Sequence, residues 1–169
     1  MIRSDAPDEP PARRRGVLLA ILLALLGAAP GAGREVLGQY GRWGAFRDVA
    51  PTRCFAIAEP RDRSDARPFA AVATWPGTAA RGQFHVRLRR EARSAEVAAG
   101  DHILPLLVDG RDAWGRDARA DRELTRAMRA GGRMQVRARD RAGRIFSDVY
   151  PLEGAASAMD AAAIGCLPR

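Results

Sequence analysis

The sequence QFHVRLR at residues 83–89 alternates between polar and apolar side chains, and MQVRAR at residues 134–139 repeats the alternation. Every second residue is apolar, beginning with Phe84 in the first stretch and Met134 in the second. A period of two residues is typical of a β-strand with one buried face and one solvent-exposed face. The residues predicted to face inward are Phe84, Val86, Leu88, Met134, Val136 and Tyr150, and those predicted to face solvent are His85, Arg87, Gln135 and Arg137.

Similar short segments, bounded by Pro, Gly or charged clusters, follow one another along most of the chain. The turn at 140–143 contains a glycine and leads into a returning strand over 144–150, which predicts a hairpin with the 134–139 strand. Segments at about 117–130 and 154–164 have apolar residues at helical spacing. Further strands are expected at 43–48, 54–58, 69–75 and 103–108. Seven or eight strands with two short helices predict a mainly β fold, an antiparallel β-sandwich.

The beginning of the chain has the pattern of an export signal. Residues 16–29 read GVLLAILLALLGAA and directly follow three arginines at 13–15. An apolar run of this length matches the roughly 7–15 residues of a secretory signal and is shorter than the roughly 20 of a transmembrane helix. The arginines favour retention of the preceding segment in the cytoplasm, so we expect the rest of the chain to be exported.

This pattern divides the chain into three parts. Residues 1–33 are predicted to be a signal peptide or, if segment 16–29 remains uncleaved, an inner-membrane signal anchor. Residues 34–42 are expected to be a linker, and residues 43–169 a single domain of ordinary size. The predicted location is the periplasm or cell envelope, with membrane contact only through an uncleaved N-terminal segment.

The chain contains two cysteines, Cys54 and Cys166. In an oxidising compartment an isolated even pair is typical of a disulfide bond. A redox or metal-binding pair is the alternative, but the two cysteines lack a CxxC spacing. We therefore predict a structural disulfide that fastens an early strand to the C-terminal helix.

Arginine is the one compositional feature that suggests a binding function. All 28 basic residues are Arg, and the formal net charge is +8. Because guanidinium groups match phosphate and carboxylate groups, a lipid headgroup, a lipopolysaccharide phosphate or another anionic envelope surface would suit a cluster of them. A solvated strand face is the simpler interpretation. Nucleic acid is not expected, because the compartment is wrong and aromatic residues do not interleave with the arginines. The candidate anion-binding residues are Arg81, Arg87, Arg89, Arg90 and Arg93.

The residues that usually carry catalysis do not form a recognisable motif. The serines lie outside any GxSxG context, and His85 and His102 do not cluster with either cysteine. Four aspartates between 109 and 121 lack the alternate-residue spacing of a calcium loop. We interpret them as helix caps, from Asp117 or Asp121, and as surface ion pairs with the arginines interleaved among them. The sequence therefore predicts no enzymatic activity, no metal and no cofactor.

Single residues spaced between Trp43 and Cys166 resemble the invasion-associated locus B family. They are Trp43, Cys54, Trp114, Gly115, Asp117, Asp121, Met128, Gly132, Met134, Val136, Gly143, Asp148, Tyr150, Leu152, Gly154 and Cys166. The resemblance implies an exported alphaproteobacterial envelope protein with an immunoglobulin-like β-sandwich and no enzymatic chemistry. The expected function is binding or structural support in the cell envelope, with an envelope protein or an anionic surface as partner.

Overall fold

The computed structural model describes residues 33–167. Residues 1–32, which include nearly all of the predicted export signal, and residues 168–169 lie outside the described part. Within residues 33–167, no helix is both long enough and apolar enough to span a bilayer.

The described chain is mainly β, with ten strands and two helices. The strands are β1 (Arg34–Tyr40), β2 (Trp43–Val49), β3 (Thr52–Ala58), β4 (Phe69–Thr74), β5 (Gln83–Arg87), β6 (Ser94–Ala99), β7 (His102–Asp109), β8 (Asp112–Gly115), β9 (Arg133–Arg139) and β10 (Ile145–Pro151), and the helices are α1 (Ala118–Ala130) and α2 (Ala155–Gly165). The strands pair in the order β1-β2-β3-β4-β5-β8-β7-β6-β9-β10, and every neighbouring pair is antiparallel. The predicted fold class is confirmed, because this arrangement is consistent with a β-sandwich.

Strands from both ends of the pairing order contribute side chains to one hydrophobic core. Trp43 of β2 donates its indole N–H to the carbonyl of Pro151 at 2.8 Å, although β2 and β10 lie far apart in the pairing order. The predicted inward-facing residues are all buried, including Phe84 on β5 and Val136 on β9, and they belong to one hydrophobic cluster. Their polar neighbours remain partly or fully exposed. The alternation in sequence therefore identified the core face of both strands correctly.

Residues 34–42, expected to be a linker, instead contain strand β1 and the turn to β2. The strand was missed because its pattern does not alternate. A bulge between Val36 and Gly38 interrupts the pairing with β2, and Leu37 and Tyr40 both pack against the core. Since an extra residue in one strand shifts all later side chains to the other face, two residues three positions apart can share the buried side.

Strands β6 and β8 were also missed, for two different reasons. In β6 the buried positions are Ala95, Val97 and Ala99, so the apolar alternation is made mostly of small side chains. Strand β8 has only four residues, of which Ala113 is buried. Both strands pair with strands that are distant in the sequence, β6 with β9 and β8 with β5, and local sequence patterns do not show this pairing.

The two helices lie where the sequence predicts them. Helix α1 begins after Asp117, whose carboxylate accepts hydrogen bonds from the N–H groups of Arg119 and Ala120, and it ends before Gly131. Helix α2 begins after Gly154, which has a φ of 84° and lies against the backbone of Tyr40. A side chain at Gly154 would collide with that backbone, so the glycine allows the C-terminal helix to approach β1.

The predicted disulfide between Cys54 and Cys166 is present, with Cα atoms 5.7 Å apart. Cys54 lies on β3, and Cys166 directly follows α2. The bond therefore fastens the C-terminal helix to the early part of the sheet. It joins positions 112 residues apart and leaves no free cysteine within residues 33–167.

Candidate anion-binding surfaces

The five arginines predicted as an anion-binding cluster lie in different surroundings. Arg87 donates to the carboxylate of Asp112 at 3.1 Å. The same carboxylate lies 2.9 Å from Nε2 of His85, whose ring stacks on Trp114 with ring centroids 5.2 Å apart. The charge of Arg87 is therefore already paired within the sheet, between strands β5 and β8.

Arg89 forms an ion pair with Asp148 of β10. The Asp148 side chain is only 1% exposed, whereas that of Arg89 is 30% exposed. The hydrogen bond to Asp148 raises the pKa of the Arg89 guanidinium. Because Arg89 follows β5, and β5 does not pair with β10, this ion pair joins two parts of the sheet that are not neighbours in the pairing order.

The remaining three arginines of the predicted cluster also lie apart. Arg90 lies 3.6 Å from the carboxylate of Asp140, and its guanidinium carbon is 4.4 Å from the centroid of the Phe146 ring. Arg81 and Arg93 are exposed and have no ion pair within residues 33–167. Three of the five arginines thus already bind carboxylates of their own chain.

A different group of arginines lies on one side of helix α1. Arg119, Arg122, Arg126 and Arg129 are separated by three, four and three residues, and all four are exposed. Residues at these spacings face the same side of a helix, so the four side chains form a row about 15 Å long. We call this group the α1 arginine row. The opposite side of the helix is buried against the sheet, mainly through Leu124, Ala127 and Met128.

The acidic residues of the same segment are engaged elsewhere. Asp117 caps the helix, and Asp121 is buried and accepts a hydrogen bond from the backbone N–H of Phe84 at 3.1 Å. Glu123 lies 3.0 Å from Nδ1 of His102. None of these three carboxylates lies within 4 Å of an arginine of the row, although the charge of Asp117 still acts on Arg119 and Arg122.

Arg129 is the one member of the row with an ion pair inside the described part of the chain. Its guanidinium lies 2.8 Å from the carboxylate of Asp160 on α2. Arg119, Arg122 and Arg126 have no carboxylate within 4 Å among residues 33–167. Of the interleaved arginines, Arg119 and Arg122 form no close ion pair with the aspartates at 109–121, but their charges help to lower the pKa of Asp117. Capping by Asp117 is confirmed.

Asp121 has no capping role and instead links helix α1 to strand β5. Burial raises the pKa of its carboxyl group, although the N–H of Phe84 partly opposes that effect. A Cβ atom at Gly115 would collide with the Asp121 carboxylate. Glycine at this position therefore leaves the space that the carboxylate occupies. Asp117, in contrast, has a lowered pKa because it accepts backbone hydrogen bonds at the start of the helix.

The spacing of the α1 arginine row was visible in the predicted helix at 117–130. The interleaved acids made the row hard to recognise, because sequence distance does not show which carboxylates turn inward.

No group of three or more His, Cys, Asp or Glu side chains in residues 33–167 is arranged to hold a metal ion. Comparisons of the chain with models of protein families, with curated proteins and with solved structures found no match.

Proposed function

We propose that this chain is a non-enzymatic exported envelope protein of the invasion-associated locus B type, with an immunoglobulin-like sandwich. It acts by binding or by structural support. The observation that carries the proposal is the disulfide between Cys54 and Cys166. Disulfides persist in oxidising compartments such as the periplasm and are rare in the cytosol. The apolar segment at 16–29 supplies the means of export.

A reporter fusion tests the proposed export. Alkaline phosphatase, which is active only after export, is fused after Arg34, and the matched control lacks residues 16–29. We expect an active fusion and an inactive control. Peptide mapping of the native protein without reduction should also recover Cys54 and Cys166 in one linked pair. An inactive fusion together with two alkylatable thiols would overturn the proposal.

Anion binding is the second candidate function, and the exposed α1 arginine row favours it. Arg87, Arg89 and Arg90 already have carboxylate partners, so binding of an outside anion would have to displace them. Arg119 and Arg122 have no carboxylate within 4 Å in residues 33–167, although the charge of Asp117 acts on both. We therefore assign the anion-binding role to the helix and not to the strand β5 region. A vesicle-binding experiment, given below, tests the role of the helix.

A further inference from the structure

We infer that the α1 arginine row, together with the exposed apolar end of helix α2, docks the domain on the surface of an anionic lipid bilayer. This inference names the partner of the second candidate function and rests on export of the domain. It assigns a surface contact to the folded domain itself, separate from the N-terminal apolar segment.

The charge of the row is the first part of the argument. Arg119, Arg122 and Arg126 project from the exposed side of α1, while the acids of that segment cap the helix, turn inward or pair with His102. Guanidinium groups bind phosphate oxygens through paired hydrogen bonds. Each basic residue near an anionic membrane surface strengthens adsorption by about fivefold. Together, these three arginines would strengthen adsorption by about 100-fold, and the effect would weaken as salt increases.

Exposed apolar side chains at the end of α2, the helix that Arg129 contacts, favour a bilayer over a soluble polyanion. The ion pair between Arg129 and Asp160 connects α1 to α2. Ile164 lies one helical turn after Asp160 and is 67% exposed, and the nearby Leu167 is 61% exposed. Surfaces that adsorb at a membrane interface combine basic residues with apolar side chains that enter the headgroup region. A nucleic acid or an acidic protein would make use of the arginines alone.

The experiment measures binding of the full chain to lipid vesicles. Leu22→Glu and Leu25→Glu are introduced in all proteins, so that the apolar segment at 16–29 does not itself bind the bilayer. Vesicles contain phosphatidylcholine alone or phosphatidylcholine mixed with phosphatidylglycerol, and binding is followed by co-sedimentation across a salt series. The parent protein is expected to bind only the vesicles that contain phosphatidylglycerol, and more weakly as salt increases.

Matched variants locate the contact. The helix variant carries Arg119→Gln, Arg122→Gln and Arg126→Gln, and the control variant carries Arg61→Gln, Arg67→Gln and Arg93→Gln, which are exposed and have no ion pair within residues 33–167. Both lose three exposed positive charges, and glutamine is a good helix former, so folding should be preserved and is checked by circular dichroism. The helix variant is expected to bind phosphatidylglycerol vesicles about 100-fold more weakly. The control variant should retain most of the binding.

A second comparison separates a bilayer from a soluble polyanion. Ile164→Ser with Leu167→Ser is expected to weaken binding to phosphatidylglycerol vesicles and to leave binding to heparin unchanged. Equal losses in the helix and control variants, no loss in the serine variant, or tighter binding to duplex DNA than to vesicles at equal salt would each overturn the inference. These results leave the fusion and disulfide tests unaffected, so failure here is distinct from failure of the proposed export.

Discussion

Asp121 illustrates how a single carboxylate can connect two elements. It projects from the first turn of α1 into the structure, where it accepts the Phe84 N–H of β5. A buried backbone donor without an acceptor costs about 1–3 kcal/mol, so the hydrogen bond offsets part of the cost of burying a carboxylate. The same burial raises the pKa of Asp121.

Substitution of Asp121 separates its charge from its hydrogen bond. Asp121→Leu removes the acceptor and should lower the free energy of unfolding by about 1–3 kcal/mol, whereas Asp121→Asn keeps an acceptor. Because the pKa of Asp121 is raised in the folded protein, its protonated carboxyl group stabilises the fold at pH values below the ordinary pKa of an aspartate. That stabilisation is lost as the pH rises through the pKa of the folded state. The stability of Asp121→Asn relative to the native protein should therefore increase from about pH 4 to neutral pH. Urea unfolding at several pH values measures the difference, and a pH-independent difference would contradict it.

Val136 and Arg87 test the alternation of the two strands. Val136 is 1% exposed, so Val136→Ala removes buried methyl groups and should lower the free energy of unfolding by roughly 1–3 kcal/mol. The Arg87 side chain is 42% exposed, and Arg87→Ala should change stability by no more than about 0.5 kcal/mol. Chemical denaturation of both variants provides the comparison. A larger loss from Arg87→Ala than from Val136→Ala would contradict the observed register.

At the scale of elements, pairing between distant parts of the chain decides how the strands are arranged. Strand β8 returns to pair with β5, and β9 pairs with β6, so the hairpins are joined into one continuous sheet. The Arg89–Asp148 pair then connects the end of β5 to β10, and the indole of Trp43 connects β2 to the end of β10. Polar contacts as well as apolar packing therefore hold the two parts of the sheet together.

Removal of Arg89 should be far more damaging than removal of Arg87. Arg89→Ala leaves the Asp148 carboxylate buried without a counter-charge, which should lower the free energy of unfolding by about 3–5 kcal/mol. Asp148→Asn should cost less, because the Arg89 side chain is partly exposed and can reach water. The double variant Arg89→Met, Asp148→Leu should recover much of the loss. Equal, small effects of Arg87→Ala and Arg89→Ala in denaturant unfolding would contradict a structural role for the pair.

For the domain as a whole, the disulfide is the strongest single constraint on the unfolded chain. It links positions 112 residues apart and fastens α2 to β3. Helix α2 covers its part of the core mainly with small side chains, Ala155, Ala158 and Ala162, together with Met159. Burial of small side chains contributes little free energy per residue, so the covalent bond helps to keep the helix in place.

Loss of the disulfide is expected to weaken the whole domain. Replacement of Cys54 and Cys166 by alanine should lower the free energy of unfolding by up to about 4–5 kcal/mol, since a long loop is no longer closed in the unfolded chain. Thermal unfolding of the double variant and of the native protein, with and without reductant, gives the measurement. The native protein with reductant should match the variant. If the double variant and the reduced native protein both melt at the same temperature as the oxidised native protein, the bond contributes nothing to stability.

The sequence by itself determined the features that depend on local patterns. Alternation predicted the buried faces of β5 and β9, because neighbouring side chains in a strand point in opposite directions. Asp117 was one of two expected caps of α1, and its carboxylate accepts hydrogen bonds from the free N–H groups at the start of that helix. The isolated cysteine pair predicted the disulfide correctly.

Only the tertiary structure decided which charges remain available for a partner. Arg89 and Arg119 look alike in sequence, yet Arg89 pairs with a carboxylate 59 residues away, whereas no carboxylate within residues 33–167 lies within 4 Å of Arg119. Asp121 stands two residues from Arg119 in the chain but turns toward β5. Periodicity specifies the side of an element on which a residue lies. It does not specify which distant residue the fold brings against that side, and the electrostatics of a surface depend on that residue.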